Sequence, residues 1–169
     1  MVRYSRITLV LISITIILLS GSTSTLQPGY TANQEVFLNS SSQVTWLSSF
    51  EHRKSHVIQS SSGAGANYPI RIVVHYGLGT DNGENVFCNI ECQSDFSDIR
   101  FTLDDGLTLL PYWLQEKSDG DYAIFWVKML DNLDSEDATM YVYYGAEGII
   151  SESNGEATFS LFDDFSGSN

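Results

Sequence analysis

The chain has 169 residues, 21 of them Asp or Glu against 8 Lys or Arg, for a formal charge of −13. That length fits one domain with part of a second, and the 43% of hydrophobic residues supplies a packed core and excludes wholesale disorder. The shortage of cations argues against nucleic acid and anionic membrane surfaces as partners, whereas the acidity suits solubility, divalent cations or basic partners.

Residues 1–25 read as a secretory signal peptide. Arg3 and Arg6 form a basic start, residues 7–19 are an apolar run broken by Thr8, Ser13 and Thr15, and 20–25 are small residues suited to cleavage. The run falls short of the roughly 20 residues a spanning helix needs, so a membrane enters only if this segment stays uncleaved. The expected address is outside the cell, secreted or at the cell surface. Residues 26–43 form a polar linker with Pro28 and Gly29, and within it Asn39-Ser40-Ser41 makes Asn39 a candidate glycosylation site.

From residue 44 the pattern is all-β. Ile70, Ile72, Val74 and Tyr76 alternate with Arg71, Val73 and His75, after Pro69. A short strand over 99–102 is followed by the turn signal Asp105-Gly106. Residues 108–116 form the next strand, with Pro111 marking an edge or bulge. Asp119-Gly120 turns the chain into residues 122–129, whose Tyr122, Ile124 and Trp126 face one side and Ala123, Phe125, Val127 and Met129 the other. With both faces apolar, that strand is central, and the two runs around one D-G form a hairpin. In a last strand, 139–144, Met140, Val142 and Tyr144 face the core and Tyr141 and Tyr143 the opposite side. The fold expected is an all-β, jelly-roll-like antiparallel β-sandwich over 44–146, preceded by an N-terminal signal helix. Residues 147–156 read as a second linker, and 157–169 as the truncated start of another domain.

Cys88 and Cys92 are the two cysteines. In an extended strand they would lie about 13 Å apart, too far to bridge. A turn between them would close the gap, leaving a local disulfide and two buried thiols as the alternatives.

Within 67–144, several blocks carry a resemblance. They are N-Y-P-I-R-I-V-V-H-Y-G from Asn67, G-T-D-N-G-E-N-V from Gly79, C-Q-S-D-F-S-D-I-R-F-T from Cys92, D-G-L-T-L-L-P-Y-W from Asp105, D-G-D-Y-A-I-F-W-V from Asp119 and M-Y-V-Y-Y-G from Met140. With Trp46 and Arg53-Lys54 as an opening, this stretch resembles domain-of-unknown-function family 2341. The resemblance implies an exported, multi-domain surface protein with no assigned catalytic residues. N-G-E-A-T-F-S-L-F-D-D-F from Asn154 is similar to the junction and first strand of a laminin-G or concanavalin-like lectin domain, which often follows in that family. Cys92 stands where the family tends to have Cys, whereas Cys88 departs from an apolar position.

The residues offer four kinds of chemistry to different degrees. A glycosidase pair from Glu84, Glu116, Asp119 and Asp121 finds no support in spacing, and Asp119 and Asp121 are better explained as turn residues. Zinc from His52, His56, His75, Cys88 and Cys92 meets spacings poorly suited to strands. Calcium is the best ion candidate: Asp81 and Glu84 crowd one loop, and Asp95 and Asp98 the next, although no EF-hand spacing is present and the same Asp residues serve equally as turn shapers. Tyr112 and Trp113, with Trp126, Tyr141 and Tyr143, offer rings for stacking on sugar, or a sandwich core. No nucleophile elbow, P-loop or dinucleotide fingerprint occurs. The expected function is a non-catalytic extracellular module that binds glycan or a cell-surface protein. An accessory domain of a secreted carbohydrate-active enzyme and a structural stalk or surface-layer component are the alternatives.

Overall fold

Seven strands and one helical turn make up residues 46–164, the part of the chain that the computed structural model describes. The signal segment, the first linker, Asn39 and residues 165–169 lie outside the described residues. In chain order the elements are β1 (His52–Ile58), β2 (Tyr68–His75), β3 (Asn85–Phe87), β4 (Arg100–Leu103), β5 (Tyr112–Ser118), β6 (Tyr122–Met129), β7 (Ala138–Tyr144) and α1 (Gly155–Thr158).

They form two sheets, ordered β1-β7-β4 and β3-β2-β6-β5. All-β sandwich architecture is therefore as the sequence predicts. One pairing departs from a wholly antiparallel sheet: β2 and β3 run parallel, with Val74 opposite Val86. The predicted central strand is central. β6 lies between β2 and β5, and its burial alternates residue by residue. The β5–β6 hairpin turns at Gly120, whose φ of +73° is the left-handed conformation that favours glycine. β5 begins directly after Pro111, lies at a sheet edge, and shifts register between Leu114 and Glu116, which matches the edge-or-bulge reading of that proline.

The core lies where the period-2 pattern puts it. Met140, Val142 and Tyr144 of β7 and Phe101 of β4 meet Ile72 and Val74 of β2 and Ala123, Phe125, Val127 and Met129 of β6. Phe101, Tyr112 and Phe125 interlock edge-to-face at centroid separations of 5.4–5.6 Å, the arrangement that aligns ring edges with ring faces.

Both outer faces also acquire cover. On the three-stranded sheet, Trp46 and Phe50 pack edge-on against Tyr143, and the Tyr143 hydroxyl donates to Gly106 O at 2.9 Å. Tyr143 is consequently buried, although it points away from the sandwich core. On the four-stranded sheet, Asn154 caps α1 by accepting the Ala157 N–H at 3.0 Å. The chain then lays Phe159 and Phe162 over Trp113, and Phe159 over Trp126. Residues 155–158, at the end of the second linker, are a helical turn, and Phe159 and Phe162 after it pack against this sandwich.

Candidate functional site

The outer face of β1 and β7 carries the most distinctive side-chain group. Parity puts Arg53, Ser55 and Val57 of β1 beside Tyr143, Tyr141 and Thr139 of β7. The Arg53 guanidinium carbon sits 4.4 Å from the Trp46 ring centroid and 4.1 Å from that of Tyr141. Its Nη1 donates to the Tyr143 hydroxyl at 2.9 Å. Trp46 is itself fixed, because its indole N–H donates to Phe50 O at 2.9 Å. The result is a cation held between two aromatic faces, an interaction worth about 0.5–2 kcal/mol per ring. Trp46, Arg53 and Tyr141 are half-buried, while Ser55 and Val57 beside them are exposed. Chemically, such a surface offers ring faces and edges for C–H contacts, a fixed positive charge, and a neighbouring hydroxyl.

The calcium residues are not brought together. Asp81 pairs with Lys54 at 3.1 Å and accepts the Phe87 N–H at 2.8 Å. Glu84 pairs with Arg71. Asp95 accepts the Ser97 N–H and hydroxyl at 3.1 and 2.8 Å, and these bonds hold its carboxyl below the usual carboxylate range. Asp98 is fully buried and accepts from the N–H groups of Gln93, Gly145 and Ala146. Among the described residues no three His, Cys, Asp or Glu side chains gather as a metal site. Each of these carboxylates serves a strand pairing or a turn, which for Asp95 and Asp98 is the turn-shaping role the sequence also offered.

The zinc group is likewise dispersed. His75 bonds Asn85 at 2.8 Å and stacks on Phe87, and His52 stacks on Tyr144. His56 is held below its ordinary value of 6.5, chiefly by burial. Cys88 and Cys92 are free thiols, both buried. Around the hairpin, Glu116 accepts from the Tyr122 hydroxyl, and Asp119 pairs with Lys117 at 2.8 Å.

Tyr112 and Trp113 point to opposite faces, as strand alternation requires. Tyr112 is buried, and its hydroxyl accepts from Glu152 N–H at 2.8 Å and Arg100 Nη1 at 3.2 Å. Trp113 points to the opposite face, under Phe159 and Phe162. Tyr141 lies on an outer face as the strand alternation predicts, and Trp46 and Arg53 stand out in the sequence as an opening, but nothing there joins them to Tyr141. The signal available was the parity of β1, where Arg53 falls two residues from Ser55 on the same side.

Fold and surface together describe an all-β sandwich whose chemistry-bearing side chains lie on a sheet face. Residues 95–169 match the model of the family described as "Domain of unknown function (DUF2341)". The match starts later than the resemblance over 67–144 and continues across α1 and Phe162 to the last residue. No curated protein and no solved structure matches the chain.

Proposed function

We propose that this chain is a non-catalytic extracellular or cell-surface module that binds glycan, or a protein partner, through the outer face of β1 and β7 within a larger exported protein. The observation that carries this reading is the Trp46–Arg53–Tyr141 stack. Rings already held in place lose little freedom on meeting a ligand, so more of the contact energy appears as affinity. The engagement of Glu84, Glu116 and Asp119 in their own pairings supports the non-catalytic part. Export is supported by the composition of residues 1–25. The idea of a laminin-G or concanavalin-like domain opening at 157 rests on sequence likeness over 154–165, and the packing of Phe159 and Phe162 on Trp113 weighs against it.

The test is a glycan array probed with the full chain, its Trp46→Ala variant and its Tyr141→Ala variant. A defined sugar class should bind, and either variant should weaken it about tenfold, the loss expected for one stacked ring. Equal binding by all three chains would remove this face as the site. Silence across the array and against cell-surface protein extracts would favour a spacer.

A further inference from the structure

After β3 the chain reverses within four residues. Cys88 O accepts the Glu91 N–H at 3.0 Å, and the two residues between, Asn89 and Ile90, have φ of +55° and +69°. Two consecutive positive φ values are those of a type I′ turn, whose preferred residues are Asn and Gly. Asn89 fits. Ile90 does not, since a β-branched side chain at positive φ crowds its own backbone. Burial does not compensate, because Ile90 is 55% exposed. The turn is instead pinned from outside: Cys88 N–H donates to His75 O at 2.8 Å and Ile90 N–H to Tyr76 O at 2.7 Å.

What this strained turn achieves is to return Cys92 to Cys88. Four residues that would span about 13 Å if extended are here folded back by the turn, so that both thiol side chains enter the same core cluster. Cys88 is 0% and Cys92 7% exposed, and both belong to the core cluster. No third cysteine exists in the sequence to compete within the chain. Cys92, with Ile90 and Glu91, lines a surface cavity of about 230 Å³. Backbone strain kept at a place where it brings two reactive groups together points to a role for the pair.

We propose that Cys88 and Cys92 are a reversible dithiol–disulfide pair, closed by a low-molecular-weight disulfide that reaches Cys92 through this cavity. The Cys92 thiolate attacks one sulfur of the small disulfide. A Cys92–sulfur bond forms, the small S–S bond breaks, and one small thiolate leaves. Cys88 then attacks the Cys92 sulfur, and the second small thiolate leaves. The protein loses two electrons and two protons, and the small disulfide gains both as two thiols. The order follows from position: Cys92 borders the cavity, whereas Cys88 is fully buried and does not line it, which leaves Cys88 the resolving sulfur. Cystamine is the fitting probe, because Glu51, Glu91 and Glu147 on the cavity rim attract its cationic ends.

The experiment equilibrates the reduced full chain with cystamine, then denatures it, alkylates it and measures the intact mass. The expected product carries no alkyl label, is lighter than the reduced chain by two hydrogens, and melts about 5 °C higher until dithiothreitol restores the starting value. Two alkylated thiols, two cysteamine adducts or a disulfide-linked pair of chains would each overturn the proposal. Cys88→Ser should stop at a single cysteamine adduct on Cys92, and an unreactive Cys92 in that variant would overturn the stated order of attack.

Discussion

Removing the Asp98 carboxylate should cost this fold a large part of its stability. Asp98 is fully buried, and its two oxygens join the turn before β4 to the chain leaving β7. Oδ1 takes the Gln93 N–H at 3.0 Å, and Oδ2 takes Gly145 N–H at 2.7 Å, with Ala146 N–H a distant third at 3.4 Å. Hydrogen bonds to a charged group contribute roughly 1.5–3 kcal/mol each, and a buried donor left without its acceptor loses at least as much. Two good bonds give about 3–6 kcal/mol for Asp98→Ala, which falls to about 3 once the relief of the desolvated charge is deducted. Asp98→Asn keeps one acceptor oxygen but presents an NH₂ group where a second was needed, so about 2 kcal/mol should be lost. Domains of this size hold about 5–15 kcal/mol in all. Urea unfolding in the presence of a chelator is the assay, and the midpoint should fall by roughly 1–3 M with an unchanged slope. Losses under about 1 kcal/mol in both variants would refute the argument. A loss seen only with calcium present would restore Asp98 as a metal ligand.

Two further outcomes are expected. Phe162→Ala should uncover Trp113, shifting tryptophan emission to the red and speeding proteolysis within 154–164, and an unchanged spectrum would show that the rings do not cover it in solution. Stability should also fall in two stages on acidification. His56 is held below 6.5, so the unfolded chain takes up the proton first, and stability complete above 6.5 declines as pH drops towards the folded value. Asp95, Asp105 and Asp137 are held below 3.8 by bonds from Ser97, Thr108 and Ser60, so their contribution is present above 3.8 and is lost as pH falls through their depressed values. Melting temperature followed from pH 7 downwards should show the first stage in the native chain and lose it in His56→Gln; a first stage that persists in that variant would assign it elsewhere.

The strands legible in the sequence are those with one or two strongly apolar faces. β6 and β7 were predicted almost to the residue because both sides of each strand meet packed neighbours. β1, with the sequence HRKSHVI, was not singled out: it is an edge strand, partly exposed, and polar residues along an edge discourage pairing with other chains. β3 has three residues, too few for any period to show. Parity also gives the face but not what covers it. Tyr143 and Trp113 do point away from the core, yet one lies under Trp46 and Phe50 and the other under Phe159 and Phe162. Those covering rings come from outside the strands, ahead of β1 and after α1, and no local pattern reports a contact across 46 residues of sequence. The carboxylates show the same limit: clustering in sequence leaves a shared ion and separate turn roles both open, whereas the folded chain aims each one at its own backbone donor or cation.

The pairing of the first strand with the last has a mechanical consequence. His52, where β1 begins, is the register partner of Tyr144, where β7 ends, so the chain enters and leaves this pair of strands at the same end. Tension applied through the flanking chain would open such an antiparallel pair one hydrogen bond at a time, as a zipper, instead of loading all of them in shear. The segment after β7 changes where that tension arrives. Asn154 N–H is bonded to Tyr112 O, and the aromatic rings that follow grip β5 and β6, so a pull from the C-terminal side is carried first by the opposite sheet. Under a pull on both flanks, that segment acts as a strain relief for the zipper.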